Sequence, residues 1–316
     1  MTTIGPLMSF VLIAYNQEKF IRDAVIGAFS QTFSPLEIIL SDDCSSDRTF
    51  EIMEELANDY EGQHKIILNR NKHNLGLAAH VNKVMTIVQS DLVVLAAGDD
   101  VSFPERAQAS WDLLSSNSDC TAVSFSTITF TKDYDTIARP TSLANSFEKY
   151  SIDQLIKNCE FHINGAARTF RRSVFEKFGP LSPDSPTEDS TILLRCLLAG
   201  PVIKHNDPLV YYRIHGKNLS ASNNIFFLDY SRIHCQYMTD LNIANQKGLI
   251  DEVEYKLVKA SLENKLERKM LWSKFNRQKN KVMIFVSSIL LSKVFSPKEK
   301  VRYLRQVYKY IKSRGN

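Results

Sequence analysis

Two pairs of adjacent carboxylates each stand where an apolar run stops: Asp42-Asp43 after Leu36 to Leu40, and Asp99-Asp100 after Leu92 to Ala97. A buried carboxylate without partners is costly, whereas at the carboxyl end of a strand it faces the crevice in which open α/β sheets bind ligands. The first pair belongs to Ser41-Asp42-Asp43-Cys44-Ser45-Ser46-Asp47. Its carboxylates can accept hydrogen bonds from a base N–H and from ribose hydroxyls, while Ser45 and Asp47 shape the turn and Asp47 caps the next helix. The second pair lies in Ala97-Gly98-Asp99-Asp100, with Pro104 following. A hard divalent cation takes oxygen ligands, commonly one or two carboxylates completed by phosphate oxygens and water. One Asp of this pair can hold such an ion while its neighbour takes a ribose hydroxyl, and Gly98 lets a backbone approach closely. The plain alternative for both clusters is a polar turn before a helix.

Two further groups carry chemistry. Thr187-Glu188-Asp189 opens an amphipathic helix containing Ile192, Leu193, Cys196 and Leu197. The helix dipole stabilises carboxylates there, which makes helix capping a sufficient reason for either residue, yet an ionised carboxylate so held can also serve as a general base. Tyr211-Tyr212-Arg213-Ile214-His215-Gly216-Lys217-Asn218 places cationic or metal-binding groups, Arg213, His215 and Lys217, where a diphosphate would sit; a lone histidine is also compatible with a purely structural role.

The elements that must position these residues alternate. Met8 to Ala14 reads as a strand, Phe20 to Phe29 as a helical stripe, Leu36 to Leu40 as a strand, and Ile52, Met53, Leu56 and Tyr60 as a helix face. Lys65 to Leu68 is a strand, Asn74-Leu75-Gly76 turns into a helix through Val88, and Leu92 to Ala97 is a strand. Such βαβ alternation implies a doubly wound, mainly parallel sheet. From Pro104 the pattern changes to a helix to Ser115, an alternating strand Cys120 to Phe130, and a weakly patterned polar stretch to Tyr150. Then come a helix Ser151 to Cys159, a strand Gly165 to Phe170, helices Ser173 to Phe178 and Glu188 to Ala199, and extended chain from Val202 to Tyr212. His215 to Asn224 is polar and expected to be mobile; the remainder is helical. The expected division is a catalytic domain over 1–222, with halves 1–103 and 104–222, and a basic helical extension over 223–316.

At 316 residues and 44% hydrophobic content the chain can bury a sizeable core. Five scattered cysteines without a C-x-x-C pair argue against a disulfide framework and a zinc site, and favour a reducing compartment. No basic leader precedes Met8, and the apolar stretch from Val282 is interrupted short of the roughly 20 residues a spanning helix needs, so neither export nor a transmembrane helix is expected. The net charge of +4 hides an asymmetry: Asn264 to Asn316 holds 15 Lys/Arg against two Glu, near +13, which leaves the rest near −9.

The ordered set Ala14-Tyr15-Asn16, Asp42-Asp43, Asn74-Leu75-Gly76, Gly98-Asp99-Asp100 before Pro104, Glu188-Asp189 and Arg213-Ile214-His215 resembles family 2 glycosyltransferases, over roughly Leu7 to Ser220. The resemblance implies a GT-A-like doubly wound mixed sheet flanked by helices, and inverting transfer from a nucleotide sugar, a UDP-sugar being the expected donor. It implies that Ala14, Tyr15, Asn16, Asn74 and Gly76 line the nucleotide, that Asp42 or Asp43 reads the base and Asp99 the ribose. Asp100 would hold a Mn²⁺ or Mg²⁺ ion, with His215 a second candidate ligand, and Arg213 and Lys217 would neutralise the diphosphate. Asp189 resembles the base that deprotonates the acceptor hydroxyl, with Glu188 in support, and the loop through Asn224 would close as a lid. Ala97 stands where the common Asp-x-Asp-Asp form has its first Asp, a departure that leaves the metal ligand in place.

The expected acceptor is a glycan or lipid-linked glycan of bacterial surface polysaccharide. The tail alternates Lys and Arg with Val301, Leu304, Val307, Tyr308 and Ile311, a pattern suited to lying on the cytoplasmic face of the inner membrane, to packing on the catalytic domain, or to binding a second subunit in a homo-oligomer. Otherwise the protein is cytoplasmic, with no nucleic-acid partner expected. A sugar nucleotidyltransferase is the alternative, but it wants a Gly-rich loop where Ala14-Tyr15-Asn16-Gln17-Glu18 stands; a non-catalytic nucleotide-sugar-binding protein is another. A dehydrogenase is disfavoured because no G-x-G-x-x-G follows the first strand.

Overall fold

The computed structural model describes residues 8–131, 134, 137, 138, 146–157, 163–216, 218, 228–277, 286, 289, 290, 292, 295 and 297–312. Their strands are β1 (Met8–Ala14), β2 (Glu37–Asp42), β3 (Lys65–Arg70), β4 (Leu92–Ala97), β5 (Val101–Ser102), β6 (Ala122–Phe130), β7 (Phe147–Tyr150), β8 (Arg168–Arg171) and β9 (Val202–Arg213). The helices are α1 (Ile21–Phe29), α2 (Thr49–Asn58), α3 (Leu77–Met85), α4 (Arg106–Ser116), α5 (Ile152–Lys157), α6 (Ser173–Phe178), α7 (Asp189–Ala199), α8 (Tyr230–Gln246), α9 (Glu252–Arg277) and α10 (Pro297–Lys312).

One mixed sheet runs β3-β2-β1-β4-β8-β6-β9-β5, with β7 added to β9. The pleat explains its two cores. Phe10, Leu12 and Ala14 of β1 pack with Ile21 and Val25 of α1, Met53 of α2 and Ala107 of α4 on one face. Val11 and Ile13 join Val81 and Val84 of α3, Val174 of α6 and Ile192 of α7 on the other. Ile233, Tyr237 and Leu241 of α8 and Val258 and Leu262 of α9 enter this second core.

β1 is parallel to β2 on one side and to β4 on the other, which creates a switch point at its carboxyl end. β8 runs antiparallel to β4, pairing Val94 with Thr169, so the segment entering β8 lies beside the exit of β4. Three details differ from the sequence pattern. β2 continues through Asp42, whose neighbours in the ladder are Ala14 and Arg70, so this carboxylate sits inside the strand. β7 falls in the weakly patterned stretch; Phe147, Glu148 and Lys149 are exposed, and a strand covering no core carries little alternation. β5, two residues long, is too short to show a period.

Among the described residues no helix is long and apolar enough to cross a membrane. Cys44, Cys120, Cys196 and Cys235 are free thiols. Lys217, Cys159 and residues 219–227 of the expected lid lie outside the described residues.

Candidate functional site

At the carboxyl end of β1 the chain turns through Asn16, at φ +52°, a conformation that Asn tolerates better than most residues. Its amide N–H donates to Ser45 Oγ at 2.8 Å and its side-chain oxygen accepts from Ser46 N–H at 2.9 Å, tying this turn to the one after β2. Asp42 is fully buried. Its Oδ2 accepts from Ser45 N–H at 2.9 Å and faces Arg70 at 3.6 Å, while Oδ1 takes the Ser45 hydroxyl. Asp43 holds the other wall: Oδ1 accepts from Asn71 Nδ2 at 2.8 Å and Leu75 N–H at 2.9 Å, and Oδ2 from Gly76 N–H at 3.0 Å. Gly76 does this at φ +81°, which only glycine adopts cheaply. Asn74 caps the same amide through Oδ1 at 2.9 Å. Ala14 is buried and Tyr15 exposed at the rim.

The turn after β4 brings Asp99 and Asp100 against the end of β9. The Arg213 amide donates to Asp100 Oδ1 at 3.0 Å, and His215 Nε2 lies 2.9 Å from Asp99 Oδ2. Burial first, and the Asp99 charge second, push the Asp100 carboxyl well above the usual range, against the opposing pull of the Arg213 amide and Arg106. Such an under-compensated carboxylate pair suits a cation. Among the described residues no group of three or more His, Cys, Asp or Glu is arranged around one ion position, so a divalent ion here would need oxygens from a ligand and water. Close backbone approach at Gly98 is made by the protein's own Gln17, Ala14 and Ile21: a Cβ would meet Gln17 Oε1 at 2.5 Å and Ala14 Cβ at 2.8 Å.

The Arg213 guanidinium points elsewhere than into open cleft. It lies between the rings of Phe20 (4.9 Å) and Phe130 (4.5 Å), and donates to Asp23 at 2.7 Å and to the Asp99 carbonyl at 3.0 Å. His215 stacks on Phe20 with centroids 4.7 Å apart. Arg213 therefore orders the Asp99-Asp100 turn in this arrangement.

Glu188 and Asp189 start α7 on the β8 side. Burial and the neighbouring Asp189 charge raise Glu188 to about 7, with Arg168 and backbone N–H groups pulling the other way. Asp189 is exposed; its Oδ1 accepts from Ser190 N–H at 2.6 Å, and its carbonyl takes Arg168 Nη1 at 2.5 Å. A glycine is required opposite: a Cβ on Gly165 would lie 2.7 Å from both Cβ and Oδ2 of Asp189. Beneath both carboxylate pairs runs a cationic floor. Arg106, fully buried, donates to the Leu95 carbonyl of β4 at 2.7 Å and the Arg168 carbonyl at 3.3 Å, and Arg168 is itself buried.

A family model described as Glycosyl transferase family 2 matches residues 9–179, more than half of the chain. The chain belongs to glycosyl transferase family 2. Similar relatives are the Bacillus subtilis protein named as glycosyltransferase EpsE, 35% identical over 33% of this chain and 37% of EpsE, and Bacillus subtilis TuaG, 32% identical over 32% of this chain and 38% of TuaG. The matches thus span little more than a third of the length of these two relatives. Among solved structures, Staphylococcus aureus TarS with UDP-GlcNAc aligns at a TM-score of 0.63 and 15% identity, over 90% of this chain and 76% of that one. The Pyrobaculum calidifontis mannosyltransferase PcManGT with GDP-Man and Mn²⁺ aligns at 0.58 and 13%, over 98% and 81%. The fold of this family 2 chain is GT-A, with helices at its C-terminal side. Its Glu188-Asp189 and Arg213-His215 groups lie beyond the matched segment.

Sequence reasoning passed over Arg106, Arg168, Asp23 and the stacking role of Phe20. Phe20 was visible only as part of an apolar stripe, and no local spacing marks the two arginines. Gly165→Ala tests the packing against Asp189. We expect turnover about 10- to 100-fold lower from displacement of the Asp189 carboxylate, with nucleotide affinity by calorimetry unchanged.

Proposed function

We propose that this chain is a metal-dependent, inverting glycosyltransferase that moves a sugar from a UDP-sugar to a hydroxyl of a glycan or lipid-linked acceptor in bacterial surface polysaccharide synthesis. One observation carries the reading: the Asp99-Asp100 pair follows the exit of β4 and the Glu188-Asp189 pair packs on Gly165 ahead of β8, so both lie at the same end of two adjacent antiparallel strands. Asp43, whose Oδ2 has a single bond among the described residues, is assigned the nucleobase N–H, with Tyr15 and Asn16 along the base and Asp99 on the ribose. Asp100 would hold the ion, with His215, which bonds Asp99, as the second candidate ligand. A divalent ion bound there supplies Lewis-acid stabilisation of the charge growing on the departing diphosphate. Asp189 removes the proton from the acceptor hydroxyl as that oxygen attacks the anomeric carbon from the face opposite the diphosphate, which inverts the centre. Glu188 tunes it by charge.

UDP-GlcNAc in the TarS structure and Mn²⁺ with GDP-Man in that of PcManGT favour a nucleotide-sugar donor with a divalent ion; the name of TuaG, teichuronic acid biosynthesis, favours a surface glycan. The discriminating measurement is a thermal-shift panel of UDP, GDP, UDP-glucose and UDP-N-acetylglucosamine with and without Mn²⁺. We expect UDP compounds to raise Tm by several degrees only with Mn²⁺, about 2.7 kcal/mol at a hundredfold excess over Kd. Stabilisation by GDP compounds alone would move the donor; none at all would overturn the reading.

The basic tail fits peripheral contact with anionic lipid at the cytoplasmic face of the inner membrane. On α10 Tyr303 turns inward onto Phe295, while Val301 and Tyr308, seven residues apart and 49% and 66% exposed, share an outward face with Arg305. Sedimentation with phosphatidylglycerol vesicles is expected at low salt and reversed by about 0.5 M salt, since the Debye length shortens. A protein left in the supernatant at low salt would rule the membrane out.

A further inference from the structure

The loop from Gly179 to Thr187 carries the chain into Glu188-Asp189, and its outward bonds converge on three helices. Asn82 of α3 grips Leu181 twice: its Oδ1 accepts from Leu181 N–H at 2.7 Å, and its Nδ2 donates to the Leu181 carbonyl at 2.8 Å. Gln236 of α8 accepts the Ser182 N–H at 2.6 Å. Arg195 of α7 donates to the carbonyls of Gly179 at 2.7 Å and Pro180 at 3.2 Å. That arginine is itself seized from α8: Asp240 accepts from its Nε at 2.8 Å and Nη2 at 2.9 Å, with both side chains fully buried, and Gln236 Nε2 donates to Asp240 at 2.9 Å.

One turn away, Tyr237 is 8% exposed, with its hydroxyl lying beside Ser190 and Asp189 in the first turn of α7. Ser190 in turn shares a 3.1 Å hydrogen bond with Thr187 and gives its N–H to Asp189 Oδ1. Three neighbouring residues of α8 thus reach the loop, the middle of α7 and the first turn of α7. The buried Arg195–Asp240 pair is a costly way to stabilise a fold, because desolvation offsets much of its attraction, but its bidentate geometry fixes how α7 rotates against α8.

We propose that the Gln236-Tyr237-Asp240 face of α8 is a positioning element for Asp189, Tyr237 acting through Ser190 and Asp240 through Arg195. The inference rests on Asp189 being the base, and it assigns a role in the reaction to a segment more than fifty residues beyond the family 2 match. A carboxylate at a cleft mouth has free rotamers unless its helix turn is held, and displacement by about 1 Å can cost up to a hundredfold in rate.

Tyr237→Phe keeps the ring in the core and removes only the hydroxyl. Two measurements on the full chain decide the matter: hydrogen exchange of the peptide covering 183–190, and release of UDP from UDP-N-acetylglucosamine with water as acceptor. Exchange at 183–190 is expected to rise about tenfold through local opening, with α1 to α4 unchanged. UDP release is expected to fall about tenfold in kcat, with donor KM and Tm held. Unchanged exchange would overturn the proposal, as would a uniform rise across the chain with a lower Tm, which marks a role in stability alone. Asp189→Asn separates the two readings. If it releases UDP at the full rate, the base assignment falls whatever Tyr237→Phe does; if it is inactive and Tyr237→Phe exchanges and turns over like the parent, only the positioning role falls.

Discussion

Asp189→Ala lowers the rate of sugar transfer by about 10²- to 10⁴-fold, the range that a positioned general base supplies, and leaves Mn²⁺-dependent binding of UDP unchanged. The split follows from the topology. Asp189 opens α7 beside Gly165, on the β8 side of the sheet, whereas the carboxylates assigned to the nucleotide and the ion sit at the exits of β2 and β4. Among the described residues the Asp189 bonds stay away from the donor half: its side chain takes Ser190 N–H and its main-chain carbonyl takes Arg168. A kinetic assay paired with calorimetry reads both quantities. Full transfer in this variant would remove Asp189 as base, and loss of UDP binding would place it on the donor.

Glu188 adds a pH signature to the same experiment. Raised to about 7, it is neutral in acid and ionised above that value. Ionisation adds a negative charge beside Asp189 that attracts the proton leaving the acceptor, so the rate of the parent enzyme is expected to rise through pH 7. Glu188→Gln, fixed neutral, flattens that rise. The linkage has the opposite sign for stability. A carboxyl whose folded pKa lies above its unfolded value of about 4.5 binds its proton more tightly when folded, so its contribution to stability is lost as pH climbs from about 4.5 through 7. The Gln variant should lose that part of the pH dependence of Tm.

How much of this site is legible in the sequence depends on the range over which each residue finds its partners. The strand ends are legible because a continuous apolar run broken by Asp marks a buried strand emerging at the rim of its sheet, and Asp99-Asp100 and Glu188-Asp189 sit where those patterns put a turn and a helix start. Asp42 is less so: it looks like a residue past the end of β2, yet Arg70 and Ser45 stabilise it inside the strand, leaving Asp43 as the first residue beyond it. Arg213 shows the same limit. The spacing Arg213-Ile214-His215 suggests residues facing a diphosphate, but Asp23, 190 residues away in sequence, together with Phe20 and Phe130, claims the guanidinium. Arg195 and Asp240 are ordinary helix residues until α7 and α8 are packed together, because no local period encodes a partner 45 positions away.

Asp100→Ala is expected to abolish transfer, with kcat reduced on the order of 10³-fold by the loss of charge stabilisation at the leaving group, and with it the Mn²⁺-dependent rise in Tm on adding UDP. Asp99, whose Oδ2 is engaged by His215 as Asp100 Oδ1 is by the Arg213 amide, is then left as a single carboxylate facing the ion. The ligand-free protein should respond in the opposite direction. Asp100 is 6% exposed beside a like charge, and its raised pKa means that the ionised form weakens the folded state above the ordinary carboxylate range. Asp100→Asn, which keeps an acceptor for Arg213 and removes the charge, should therefore melt higher than the parent at pH 8 without Mn²⁺ and lower than the parent with Mn²⁺ and UDP. That crossing of melting curves distinguishes a residue kept for its ligand from one kept for the fold. A structural acidic turn would give an Asn variant with one order of stability under both conditions, whereas a carboxylate that Arg213 and Arg106 only partly compensate gains most when a cation joins it.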